Sequence, residues 1–71
     1  MLIFLNRVEV LLMLRIKRIS QKEFADLTGL SEVHISRMLN RQASVGLKAQ
    51  KKIQEVFKFK PFERLFVTVD K

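Results

Sequence analysis

Residues 21–40, QKEFADLTGLSEVHISRMLN, constrain this chain more than any other stretch. They read as two short helices meeting at a tight glycine turn. Ser20, followed three residues later by Glu23, forms a capping box: the hydroxyl satisfies a free amide and the carboxylate reaches back. Phe24, Leu27 and, after the turn, Leu30 supply one apolar face. Ala25 falls where the helices approach most closely, so a side chain larger than methyl would push them apart. Gly29 falls where the chain leaves the first helix, a place where glycine alone reaches positive φ without steric cost. Ser31 is a good N-cap for the second helix, and Ile35, Met38 and Leu39 recur at helical spacing on its inner side. Glu32, Val33, His34, Ser36 and Arg37 are left facing outward, a mixed surface short enough to lie in a major groove of DNA. On its own the pair is equally a capped helical hairpin with no ligand.

The rest of the chain narrows that choice. Seventy-one residues make one small domain, 1–71, with the paired helices at 20–40 as its centre. With no cysteine and a single histidine, neither a disulfide framework nor a metal site is expected, so packing and association must supply stability. Fourteen Lys and Arg against seven Asp and Glu give +7 and a pI near 10.4, which suits a polyanionic partner. The basic residues are spread over Arg15, Lys17, Arg18 and Lys22, then Arg37 and Arg41, then Lys48, Lys51 and Lys52, then Lys58 and Lys60. Spread charge fits several separate phosphate contacts better than one membrane anchor. The apolar start, MLIFLNRVEVLLMLRIK, is interrupted by Asn6, Arg7 and Glu9, short of the roughly 20 residues a span requires. It also lacks signal-peptide features, so a cytoplasmic protein with no membrane partner is expected.

Met1–Leu5 is a short apolar run, and Leu65–Val69 is a β-prone tail that is its natural strand partner. Asn6 with Glu9 resembles a helix start for a segment reaching Lys17. Its interior is apolar nearly all round, so strand and helix compete there. Beyond a loop at 40–45, Ser44 is expected to cap a helix over 46–57, with Ala49, Ile53, Val56 and Phe57 inside and Lys48, Lys51, Lys52 and Glu55 outside. Pro61 suits the first turn of a short helix, FERLF.

The stretch LRIKRISQKEFADLTGLSEVHISRMLN resembles the lambda-repressor-like family of Cro-type helix-turn-helix proteins, over roughly residues 11–57. The resemblance implies a mainly α fold of five helices, here with a short N-/C-terminal β pairing added, and it makes residues 8–16 a helix. It implies that Gln21 hydrogen-bonds a phosphate or braces a base contact. It implies that Ser31, Glu32, Val33, His34, Ser36 and Arg37 form the groove-facing surface of a recognition helix at about 31–39. Arg41 and Gln42 would touch the DNA backbone beyond it. The chain departs from the family at Glu32, where glutamine or arginine is commoner, and in lacking a proline before the fourth helix.

The chemistry of these side chains allows more than one role. Arg37 can fork onto guanine, clamp a phosphate or pair with a carboxylate. Glu32 can accept from a cytosine amino group or simply sit well at a helix N-terminus. Val33 suits a thymine methyl unless it is buried, and His34 can donate to a phosphate or base edge. Ser31 and Ser36 are small enough for close approach. Lys48, Lys51 and Lys52 supply charge without selecting sequence. The phenylalanines, Phe24, Phe57, Phe59, Phe62 and Phe66, read as core; only Phe57-Lys58-Phe59-Lys60 resembles a base-stacking surface.

No nucleophile–base pair, phosphate loop or metal-ligand cluster appears, which argues against an enzyme, and no cofactor or metal is expected. The leading expectation is therefore a regulator of the Cro or repressor kind, of phage or mobile-element type. It would bind double-stranded DNA as a homodimer, with Val10, Met13, Leu14 and the two termini as interface. The alternatives are a protein-interaction module (an antitoxin or anti-regulator) with its partner on the apolar N-terminus, or an excisionase-like architectural DNA binder.

Overall fold

The computed structural model describes residues 1–70. Among these the order is strand β1 (Leu2–Leu5), helices α1 (Arg7–Lys17), α2 (Gln21–Thr28), α3 (Glu32–Leu39), α4 (Leu47–Val56) and α5 (Phe62–Leu65), and strand β2 (Phe66–Val69). The fold is mainly helical, with the two terminal strands paired antiparallel in the register Leu2↔Val69 to Leu5↔Phe66. None of the helices is long and apolar enough to cross a membrane.

The segment that periodicity left undecided is a helix because both its ends are defined. The Asn6 Oδ1 accepts from the Glu9 amide at 3.3 Å, opening α1. At the other end Arg18 turns into the left-handed region (φ 54°), and the Arg18 and Ile19 amides donate to the Arg15 and Leu14 carbonyls. Continuous apolarity arises from two opposed faces. Val10 and Leu14 are buried, whereas Val8, Leu12 and Ile16, spaced four residues apart, are 77%, 46% and 64% exposed. This corrects the expected dimer surface: Val10 and Leu14 belong to the core, and the surplus apolar surface lies on the opposite side of α1.

One core cluster unites the elements, drawing Leu5 and Phe66 from the strands, Val10 and Leu14 from α1, and Phe24, Ala25, Ile35, Met38 and Leu39 from the central pair. Phe24 of α2 stacks on Phe57, just beyond α4, with ring centroids 5.4 Å apart and planes inclined by 29°. The Asn6 amide donates to the Leu65 carbonyl at 2.8 Å, and the Val45 amide to the Ile3 carbonyl at 2.7 Å. The first bond closes the domain between its ends; the second fastens the loop before α4 to β1. β2 pairs on one side only.

Three local expectations are corrected. Thr28, not Leu27, lies inside α2: its hydroxyl donates to the Phe24 and Ala25 carbonyls at 2.9 and 3.1 Å, which removes the penalty of burying it. Leu27 is 57% exposed. The residue flanking α4 is Gly46 with no side-chain cap, so Ser44 does not serve; instead Gln50 Nε2 reaches back to the Val45 carbonyl at 2.9 Å. Phe59 is 94% exposed in the turn after α4, leaving the core to Phe24, Phe57 and Phe66 with Phe62 at its margin.

Candidate nucleic-acid interface

The site is built by two capped ends and a glycine. The Ser20 Oγ accepts from the Glu23 amide at 3.0 Å while the Ser20 amide donates to Glu23 Oε1 at 3.3 Å, completing the expected capping box. Gly29 takes φ 72° at the end of α2, and the Leu30 amide closes on the Ala25 carbonyl at 3.0 Å. Ser31 Oγ then accepts from the His34 amide at 3.1 Å and starts α3. Ala25 is buried in the core cluster with Ile35, Met38 and Leu39 of α3.

With about 100° per residue, Ile35, Met38 and Leu39 share the inner side of α3, and all three are buried. The opposite side is centred on Val33 and Arg37, one turn apart, with Ser36 beside them. Glu32 and His34 flank this centre on opposite sides. All five side chains are exposed, Val33 by 61%, which settles its orientation. An eight-residue helix is about 12 Å long, comparable with the roughly 12 Å width of the major groove. Among the described residues the one ion pair is Lys60–Glu9, at 2.8 Å, so the Arg37 guanidinium is not engaged by a carboxylate. That bond with Lys60 is also the main reason the Glu9 carboxyl titrates below its ordinary 4.5; Lys60 and Arg64 charges add to it and desolvation opposes them.

The other expected contact residues lie at the edges of the pair. Gln21 is exposed in the first turn of α2, and Ser31 is exposed at the mouth of α3. Arg41 and Gln42 are exposed just past α3, where their amides donate to the Met38 and Arg37 carbonyls at 3.2 and 2.8 Å. Lys48, Lys51 and Lys52 lie exposed on α4. Two features escaped the sequence reading. Arg7 Nη1 donates to Asn40 Oδ1 at 2.6 Å, tying the start of α1 to the end of α3. Arg18 and Arg41 are both left-handed, at φ 54° and 57°. Neither carries a glycine or asparagine signal, so nothing in the residue types marked them. Among the described residues no group of His, Cys, Asp and Glu is placed to hold a metal ion.

Comparison with known proteins agrees with this geometry. Residues 11–65, more than half the chain, match the family model described as helix-turn-helix. No curated protein and no solved structure gives a significant match. The matched segment runs from the inner half of α1 through α5 and contains the whole α2–α3 pair. The chain belongs to the lambda-repressor-like, Cro-type helix-turn-helix family of DNA-binding regulators.

Proposed function

We propose that the protein is a sequence-specific regulator of the Cro or repressor kind that lays α3 in the major groove of double-stranded DNA. The observation that carries this reading is the outward side of α3: five exposed side chains with no ion pair among the described residues, on a helix capped by Ser31 and backed by Ile35, Met38 and Leu39. Arg37 supplies the planar donor pair for guanine O6 and N7, and Val33, one turn earlier, the apolar contact for a thymine methyl. Glu32 accepts from a cytosine amino group, and His34 donates at the groove edge. Ser31 and Ser36 keep the helix close to the bases. Gln21, Arg41 and Gln42 hold phosphates on either side and fix the register.

Five outward side chains address few base pairs, so useful selectivity calls for a homodimer on two half-sites about one helical turn apart. The one-sided pairing of β2 supports a contact between the C-terminal strands of two copies, because an open strand edge offers unpaired N–H and C=O groups. Binding to a random duplex across a salt series tests the DNA reading. It predicts a steep linear fall of log affinity with log salt, at about 0.9 per phosphate contact. A folded chain with no binding at low salt refutes it. One observation favours a second reading, a module that holds a protein partner: Val8, Leu12 and Ile16 form an exposed aliphatic stripe along α1. That reading predicts a folded chain without salt-dependent duplex binding.

A further inference from the structure

We propose that Arg18 and Arg41 are a matched pair of DNA-phosphate clamps, one at each end of the helix-turn-helix, held in a backbone conformation that trades fold stability for contact. The inference rests on the DNA-binding reading above and extends it to Arg18. Among the described residues these are the non-glycine positions with positive φ, at 54° and 57°, and both are arginine. The left-handed region crowds a Cβ against the following carbonyl, so glycine is the favoured residue there and asparagine the next. The turns themselves need only the backbone, so an arginine is less favourable at each position than a glycine would be. Both side chains are exposed, and neither makes a hydrogen bond or ion pair with a described residue. Arg7 and Lys60, by contrast, are engaged by Asn40 and Glu9.

Their placement supplies the reason. Arg18 ends α1 and lies three residues before Gln21, which opens α2; Arg41 lies two residues beyond Leu39, which closes α3. The two turns therefore place a permanently charged guanidinium at the entry and at the exit of the reading unit. Backbone donors anchor each turn: the Arg18 amide to the Arg15 carbonyl, and the Arg41 amide to the Met38 carbonyl, both at 3.2 Å. Strain that persists at both ends of the helix pair, on exposed arginines with no partner among the described residues, is expected where the side chain serves a ligand. A phosphodiester is the chemistry that a guanidinium fork matches.

The test compares the wild type with Arg18→Gly, Arg41→Gly and the corresponding lysine variants, measuring thermal unfolding and binding to a random-sequence duplex over a salt series. Each glycine variant is expected to melt higher, by roughly 4 °C, because the backbone is relieved. It is also expected to bind on the order of fivefold more weakly, with a salt slope smaller by about 0.9. The lysine variants keep the charge and most of the salt slope. An unchanged salt slope and affinity in both glycine variants, with wild-type binding intact, overturns the clamp. So does a lower melting temperature in both, which would mean that the arginines serve the fold. A wild type that binds no duplex overturns the DNA-binding reading and the clamp with it.

Discussion

The ring pair Phe24–Phe57 is the joint through which α4 holds the helix-turn-helix, and its removal has a calculable effect. Phe24 is fully buried and Phe57 nearly so, with centroids 5.4 Å apart. Truncation to alanine would cost about 3–5 kcal/mol. A domain of this length has only about 4–10 kcal/mol in total, so alanine risks unfolding it outright. Phe24→Leu is the sharper perturbation. Loss of shape match costs up to about 1.5 kcal/mol, and loss of the ring–ring contact about 0.5–1.5 kcal/mol. A net loss near 2 kcal/mol lowers the melting temperature by roughly 8–16 °C. Thermal and urea unfolding followed by circular dichroism read this directly. The double-mutant cycle with Phe57→Leu should return a coupling of about 0.5–1.5 kcal/mol. At a temperature where every variant is folded, duplex affinity should stay within about twofold, since neither ring reaches the outward side of α3. A melting temperature unmoved by Phe24→Leu, or strictly additive single variants, would refute the described packing.

Three further outcomes are expected. Arg37→Ala should weaken binding to a selected site by about 1–3 kcal/mol more than binding to random duplex, whereas Lys51→Ala should weaken both alike; equal losses for Arg37→Ala would remove its base-reading role. Gly29→Ala should destabilise by about 1 kcal/mol through backbone strain alone, because a Cβ there meets nothing within 4 Å, and Gly29→Asn by less; thermal melts that do not separate the three residues would contradict the φ of 72°. Because the Glu9 carboxyl is lowered in the folded state, its stabilising contribution is complete above its ordinary 4.5 and is lost as pH falls through the lowered value. Glu9→Gln should therefore flatten the acid limb of the stability–pH curve, and an unaltered limb would show that Lys60 does not hold it.

What the sequence made legible was whatever depends on neighbouring residues. Asn6, Ser20 and Ser31 each accept the amide three residues on, and Gly29 takes the left-handed turn, because caps and turns are local chemistry. The outward residues of α3 followed from helical spacing once Ile35, Met38 and Leu39 were assigned inward. Features set by tertiary packing were not legible. Residues 8–16 are apolar on two faces, and only the core shows that Val10 and Leu14 point in while Val8, Leu12 and Ile16 point out. Thr28 displaced Leu27 because a hydroxyl bonded to the carbonyls of its own helix is cheap to bury. In Phe57-Lys58-Phe59-Lys60 the turn after α4 decides which ring enters the core, and alternation alone cannot. The left-handed arginines were invisible because arginine carries no signal for that conformation.

The central claim is that the outward side of α3 reads base sequence. Its most direct test is selection of bound sites from a random duplex library with the wild type and with Arg37→Ala. The account predicts that the wild type enriches a two-fold symmetric site, with half-site centres about 10 base pairs apart. It also predicts that Arg37→Ala relaxes one position in each half, a guanine in the wild-type site. Salt-dependent binding that enriches no sequence at all would contradict it.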